Sequence, residues 1–118
     1  MGPATLRSDA IFDGVIHETT QVLYAKVTEA GSGDLIAAVT AKIIRVLGVF
    51  LVAAGSETIK FQSDGSVDLT GTMSLIIGVP FVLPVNQYGW LQTASGKKLN
   101  LVQGGSVQIS GGLVYVLV

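Results

Sequence analysis

Apolar and polar residues form short segments along most of the chain, and glycine or proline separates the segments. Residues 58–63 alternate apolar and polar side chains, which is typical of a strand with one buried face. Asp64-Gly65 follows as a strong turn signal. Regularly spaced short strands with glycine turns predict an all-β sandwich or barrel. Further strands are expected at 67–70, 73–77, 81–83, 90–93, 99–102, 107–110 and 113–118, and one or two more within 15–27.

Residues 35–54 are the one segment where a buried helix competes with a strand. Valine, isoleucine and threonine are dense there, which favours strand. Gly48 also weakens a helix by about 1 kcal/mol relative to alanine. We therefore predict a strand at 35–39 and a long strand at 42–53 with both faces largely buried. A membrane span is not expected, because Lys42 and Arg45 near its middle would each cost about 2.5–3.5 kcal/mol.

Glycine clusters punctuate the predicted strands. Residues 30–34 form a clear break, and Ser95-Gly96-Lys97 predicts a hairpin turn into the strand at 99–102. Gly111-Gly112 predicts a bulge or bend between the last two strands. Residues 1–14 have no period and include Gly2 and Pro3, so we expect an N-terminal arm (1–14) ahead of a single β-sandwich domain (15–118).

Composition favours self-association over nucleic-acid binding. Only 13% of residues are charged and 49% are hydrophobic, so we expect part of the surface to be covered by other copies or by a partner. A surface of serine, threonine, glutamine and asparagine is the alternative. The net charge is −1, and the only adjacent basic pair is Lys97 and Lys98, so no basic stripe for phosphates is present. We expect a dimer or trimer that uses apolar strand faces and the arm.

Residues suited to catalysis or metal binding are few. The chain has no cysteine and a single histidine, His17, so zinc would need carboxylates, and Asp13, His17 and Glu18 have no recognised ligand spacing. Asp64 and Asp68 lack the EF-hand pattern for calcium and are expected to cap a turn. We expect no cofactor, no metal and no catalytic residue. An enzyme would need two carboxylates about 5–10 Å apart in a cleft, and no pair stands out.

Two aromatic residues are the candidate surface-binding site. Tyr88 and Trp90 flank Gly89 and could stack on a sugar ring. A packed corner after Pro84 is the alternative interpretation. A receptor- or carbohydrate-binding module of a head or tail fibre is therefore a second hypothesis for function, and exposure of the two rings in an open groove would favour it.

The C-terminal two-thirds of the chain resembles a group of small bacteriophage virion proteins. The resemblance lies in a long apolar strand ending in VAAG (44–55), an alternating strand (58–62) and the turn Leu69-Thr70-Gly71. It continues through FVLPVNQYGWLQTASGKKLNL (81–101) and the closing VQISGGLVYVLV (107–118). Residues 1–39 match no pattern of this group.

This resemblance implies a jelly-roll-like antiparallel β-sandwich and a role as a capsid decoration, or cement, protein. Such a protein would bind between subunits of the major capsid protein as a trimer or dimer and stabilise the shell. It would be located in the virion after assembly in the host cytoplasm, where a chain without cysteine needs no disulfide. The resemblance implies no catalytic residue, and we expect neither nucleic acid nor membrane as a partner.

Overall fold

Every regular element in the described residues is a β-strand. A computed structural model describes residues 11–12, 16–17 and 21–118, the first two pairs by their backbone alone. No helix with the length and apolarity of a membrane span occurs in these parts of the chain. The all-β prediction is confirmed. The strands are β1 Ile11–Phe12, β2 Ile16–His17, β3 Leu23–Glu29, β4 Gly33–Ile36, β5 Ile44–Ala53, β6 Glu57–Ser63, β7 Val67–Asp68, β8 Met73–Leu75, β9 Phe81–Leu83, β10 Leu91–Gln92, β11 Leu99–Gln103 and β12 Ile109–Leu117.

The strands β3 to β12 form two antiparallel sheets. In sheet 1 the order is β3-β12-β5, with β9 and β10 both pairing the far edge of β5. In sheet 2 the order is β4-β11-β6, with β7 and β8 both pairing the far edge of β6. If each pair of short strands is counted as one interrupted edge strand, the two sheets have four strands each. This arrangement is a jelly roll, as the resemblance implies.

The core lies between the two sheets and comes from alternate residues of each strand. Strand β6 shows this most clearly, since its odd-numbered residues are buried and its even-numbered residues are half-exposed. The alternation explains why residues 58–63 could be identified from the sequence. The largest fully buried core side chains are Ile44, Val46 and Leu51 of β5, Ile59 and Phe61 of β6, Leu99 and Leu101 of β11, and Ile109 and Leu113 of β12.

A β-bulge at Leu47 interrupts the alternation in β5. Val114 of β12 pairs with Gly48 and Tyr115 pairs with Val46, so Leu47 is the extra residue. Leu47 and Val116 are 1% and 0% exposed and form a small cluster separate from the main core. Val46 and Val49 both belong to the main core, so the bulge turns Leu47 to the outer face of sheet 1.

The prediction that 42–53 is a strand buried on both faces is partly wrong. The strand exists, but its outer face is buried only near the bulge. Phe50 and Val52 are exposed there, because β5 faces the core on one side only and no described element covers its other side. The strand expected at 35–39 begins and ends earlier, as β4 at Gly33–Ile36. Only residues 30–32 connect β3 to β4, and Asp34 already pairs with Asn100 of β11.

Two predicted glycine signals have other structural roles. The turn at Ser95-Gly96 exists, with Lys97 N donating to Ala94 O at 3.2 Å and Gly96 at φ 74°. It is not a hairpin, because it joins β10 of sheet 1 to β11 of sheet 2. Gly111 and Gly112 cause no break either, since β12 is continuous through them. A Cβ at Gly111 would collide with the backbone carbonyl of Phe50, so this glycine permits close approach of β5.

The N-terminal boundary remains a prediction. Within the expected arm and the residues after it, the structure gives only the antiparallel pairing of β1 with β2, in which Ile11 is opposite His17. The rest of residues 1–20 lies outside the described residues. The division into an arm at 1–14 and a domain at 15–118 is therefore untested.

Candidate functional site

Tyr88 and Trp90 lie on a hydrogen-bonded turn beside the bulge of β5. Asn86 N donates to Leu47 O at 2.9 Å and Trp90 N donates to Val46 O at 2.8 Å, which fixes both ends of the turn to β5. Asn86 Oδ1 accepts from Tyr88 N at 2.9 Å. The indole Nε1 donates to Pro84 O at 2.7 Å, so the corner that we weighed as the alternative does form.

Both rings are nevertheless accessible on this corner. Tyr88 is 58% exposed and Trp90 is 44% exposed. The prediction that they bind a ligand is neither supported nor contradicted by this geometry.

The two rings belong to a segment of the chain that is rich in exposed apolar side chains, which was not predicted. Residues 69–96 contain no charged side chain, and we call them the uncharged segment. The described residues include twelve exposed large apolar side chains, and seven of them lie within 76–90. The sequence itself shows this segment as a gap without charged residues between Asp68 and Lys97. These seven are Ile76, Ile77, Val79, Val82, Val85, Tyr88 and Trp90.

The turn at 76–79 contains three of these seven exposed side chains. Val79 N donates to Ile76 O at 3.0 Å, and Gly78, with φ 71°, donates its N–H to Ala53 O at 3.1 Å. The turn links β8 of sheet 2 to β9 of sheet 1 at one end of the sandwich. Its backbone is thus held in place while its apolar side chains are exposed to solvent.

A second exposed apolar region is the outer surface of sheet 1, which we call the apolar face. Its apolar residues are the exposed Tyr24, Phe50, Val52 and Val82 together with the half-buried Val114. The same surface also carries the exposed polar residues Lys26, Thr28 and Ser110. Pairing register brings the apolar residues together, because Val82 is opposite Phe50 and Val114 is opposite both Gly48 and Tyr24. The sequence separation of β3, β5, β9 and β12 explains why the sequence alone did not identify this face.

A shallow groove runs along the apolar face beside Phe50. Its volume is about 200 Å³. A Cβ at Gly48 would lie 3.1 Å from a methyl group of Val85 and 3.2 Å from Leu83 O, so glycine at this position permits the close approach of residues 83–85 to β5. The lining includes no charged residue; it consists of Gly48, Val49, Phe50, Val82, Leu83, Pro84, Val85 and Val114.

The outer surface of sheet 2, which we call the polar face, has the opposite chemistry. Asn100 Nδ2 donates to Asp34 Oδ1, and Gln62 Nε2 donates to Asp68 Oδ1 at 2.7 Å. Lys60 Nζ lies 3.2 Å from Asp68 Oδ1. Lys98 Nζ similarly lies 3.2 Å from Asp34 Oδ2. Hydrogen bonds and ion pairs therefore link neighbouring strands across this face.

Asp64 and Asp68, weighed as calcium ligands, do not point to a shared site. Asp64 lies 3.7 Å from Lys97 Nζ, whereas Asp68 pairs with Lys60. The hydrogen bond from Gln62, followed by that from Lys60, lowers the pKa of Asp68 below its ordinary value of 3.8. Across the described residues no group of three or more potential ligands among His, Asp and Glu could hold a metal ion.

One cavity is lined by a single carboxylate, that of Glu57, and both oxygens of this carboxylate accept hydrogen bonds. The cavity has a volume of about 440 Å³ and lies near Ser56, Ser74 and Gly104. Glu57 Oε1 accepts from Thr58 N at 2.9 Å and from Gly105 N at 3.0 Å, and Oε2 accepts from Val107 N at 3.2 Å. The carboxylate thus fixes the 104–107 turn. The paired acids that a hydrolase would need are not found among the lining residues.

The remaining candidates are the three residues considered as zinc ligands, His17, Asp13 and Glu18. His17 lies in β2, but only its backbone is described. Asp13 and Glu18 lie outside the described residues. The expectation that these three residues form no zinc site therefore stays a prediction.

Comparisons with known proteins identify no family for this chain. No protein-family model matches the sequence, and no curated protein matches it. Two solved structures match this chain at low sequence identity and low TM-score. One is from "Bacillus endospore appendages form a novel family of disulfide-linked pili", with a TM-score of 0.44 and 13% identity over 84% of this chain and 88% of that chain.

The other solved structure is that of infectious bursal disease virus, Gx strain. Its TM-score is 0.43 and its identity is 12%, over 94% of this chain and 36% of that chain. This chain thus spans about a third of the viral protein that it resembles. Neither similarity assigns a function to this chain.

Proposed function

We propose that this chain is a phage virion structural protein that decorates the capsid and stabilises the shell by binding between subunits of the major capsid protein. The observation that supports this most directly is the uncharged segment, with seven exposed apolar side chains within 76–90. Large apolar patches on soluble proteins mark interaction sites. The major capsid protein is the partner that the sequence resemblance to phage virion proteins implies.

The turn at 76–79 is the part of the segment that we assign to the capsid contact. Ile76 and Ile77 are each 61% exposed, and the hydrogen bond from Gly78 to β5 removes much of the freedom that binding would otherwise have to freeze. A rigid apolar knob is suited to a pocket at a junction between shell subunits. Residues buried at the centre of such contacts supply most of the binding energy.

The test is binding of the labelled chain to shells of the encoding virus assembled without it. Ile77→Asp should weaken co-sedimentation at least about 10-fold, since it places a charge in an apolar contact. Val67→Asp is the matched control, because Val67 of β7 is also an exposed apolar residue but lies on sheet 2. No binding of the unaltered chain to shells, or equal binding by both variants, would refute the proposal.

A second candidate is receptor or carbohydrate binding at Tyr88 and Trp90, which is favoured by the exposure of both rings on a fixed turn. Trp90 is the only tryptophan, so its fluorescence reports on this site directly. Titration with host-surface glycans should shift the emission if the rings stack on sugar, and Tyr88→Ala should abolish the shift. Unchanged emission across the glycans would remove this candidate and leave the capsid proposal untouched.

A further inference from the structure

We propose that the apolar face is the site where two copies of this chain dock face to face. The two-fold axis would run parallel to the strands, between β5 and β12. This inference concerns assembly of the chain with itself, and it goes beyond the capsid contact assigned to the turn at 76–79. It is based on the order of large and small residues along β5 and β12.

The face is complementary to itself under this rotation. The axis exchanges β5 with β12 and the β9 edge with β3, and it keeps each residue at its height along the strands. Phe50 of β5 is opposite Gly112 of β12, whereas Gly48 of β5 is opposite Val114 of β12. A large residue of one copy would therefore be aligned with a glycine of the other in both rows and would contact the side chain that lies beside that glycine, Tyr24 at Gly112 and Val85 at Gly48. This makes the patch complementary to itself, as a two-fold interface requires.

Tyr24 adds an aromatic contact to this arrangement. A Cβ at Gly112 would collide with the phenol of Tyr24, so this ring already lies over Gly112 within one copy. Rotation places Phe50 of the second copy against that ring, and the reverse contact occurs once more by symmetry. Offset or edge-to-face aromatic pairs each contribute about 0.5–1.5 kcal/mol beyond their area. Val114 of the second copy would meanwhile lie over Gly48 and the neighbouring Val85 of the first.

Charge selects this axis over a perpendicular one. Lys26 of β3 lies in the same row as Gly112 and Phe50. An axis perpendicular to the strands would stack the two β3 strands and bring both Lys26 side chains to one edge. The axis along the strands puts them at opposite edges, where the aliphatic stem of each lysine could cover Val82 of the other copy while its ammonium group stays in water.

The face approaches the size of a stable contact. Strands of seven, nine and ten residues and the three-residue β9, about 4.8 Å apart at about 3.3 Å per residue, make a flat outline of roughly 450 Å², to which the relief of the side chains adds accessible surface. A standard interface covers about 800 Å² of accessible surface per partner. Two sheets also pack well at the small angle that their twist imposes.

Sedimentation equilibrium of the full chain tests this arrangement. The unaltered chain should give twice the 12.2 kDa monomer mass at about 10–100 μM. Phe50→Lys should weaken self-association at least about 100-fold, because the substitution occurs twice in a two-fold interface. Val67→Lys on sheet 2 should remain dimeric. Circular dichroism of each variant checks that the sandwich is intact.

Mixing two variants identifies the contact itself. Tyr24→Glu alone should also be monomeric, but an equal mixture with Phe50→Lys should form a heterodimer, since one native aromatic pair and one opposite-charge pair then coexist. A monomeric unaltered chain, a trimer, a dimeric Phe50→Lys variant or failure of the mixture to associate would each overturn the proposal. Shell binding by Phe50→Lys is measured separately, so failure of this dimer and failure of the capsid proposal have different signatures.

Discussion

The two sheets share one core but have opposite outer surfaces. On sheet 2, Asp34, Asn100, Gln62 and Asp68 hydrogen-bond across the strands, and lysines neutralise the two aspartates. On sheet 1, the outward positions in the middle of the central strands are apolar or glycine, and the polar residues Arg45 and Ser110 lie towards the ends of these strands. A solvated sheet is expected to alternate apolar and polar residues. Sheet 2 follows this pattern and sheet 1 does not.

This difference separates the requirements of folding from those of association. Both inner faces are apolar, which is sufficient for a sandwich core. Folding does not require Phe50, Val52 or Tyr24 to be apolar, because none of them is buried. Large exposed apolar patches are typical of interaction sites, and the proposed face-to-face dimer would cover these residues.

The largest effect on stability is expected at Leu47, which is buried on the outer face of sheet 1 in a small cluster separate from the main core. Leu47→Ala removes a fully buried side chain from the cluster with Val116. We expect a loss of about 2–5 kcal/mol in the free energy of unfolding, measured by urea denaturation. Val52→Ala, on the same strand and face, should lose less than half as much because Val52 is exposed. Equal losses would contradict the division of this face into a buried and an exposed part.

The sequence predicted the parts of the fold that follow from local patterns. Alternation identified β6, and the density of branched residues distinguished strand from helix in β5. Asp64-Gly65 identified a turn in which both residues have positive φ, 61° and 72°, as a type I′ turn requires. Each of these signals is contained in a few consecutive residues, so one sequence is enough to detect it.

The candidate surfaces depend on pairing between distant strands, which a single sequence does not contain. Phe50 and Val52 looked buried because they belong to an unbroken apolar run, and only the register with β12 shows that their face is open. No residue around Leu47 indicated a β-bulge in the sequence, and a bulge or bend was expected at Gly111-Gly112 instead. Tyr88 and Trp90 were predicted as a candidate surface site beside Gly89, with a packed corner as the alternative, whereas Ile76 and Ile77 of the exposed turn were included in the strand predicted at 73–77.

A smaller effect is expected from Asn100→Asp at the centre of the polar face. Asn100 is buried and donates to Asp34, so the variant would place two carboxylates together. We expect a loss of about 1–3 kcal/mol at pH 7, measured by urea denaturation. The loss should shrink as the pH falls towards about 4, because protonation restores a donor.

The matched control for that variant is Asn86→Asp. Asn86 Oδ1 accepts a hydrogen bond from Tyr88 N, and a carboxylate accepts it equally well. The free energy of unfolding should stay within about 0.5 kcal/mol of the unaltered chain. A loss that is equal in the two variants, or a loss at Asn100 that does not depend on pH, would show that charge at Asp34 is not its cause.

The smallest effect is expected from Asp68→Asn at the exposed end of the polar face. Hydrogen bonds from Gln62 and Lys60 lower the pKa of Asp68 in the folded chain, so ionised Asp68 stabilises the fold at pH values above its ordinary 3.8. This contribution is lost as the pH falls through the folded pKa. The substituted amide keeps an acceptor for Gln62 but loses the ion pair with Lys60, so the variant should be slightly less stable than the unaltered chain at pH 7 and equal to it at about pH 2. Adding about 0.5 M NaCl at pH 7 should also reduce the difference, because exposed ion pairs are screened. Thermal melts at both pH values measure this, and a difference that persists unchanged at low pH would mean that the carboxylate charge is not what links β7 to the polar face.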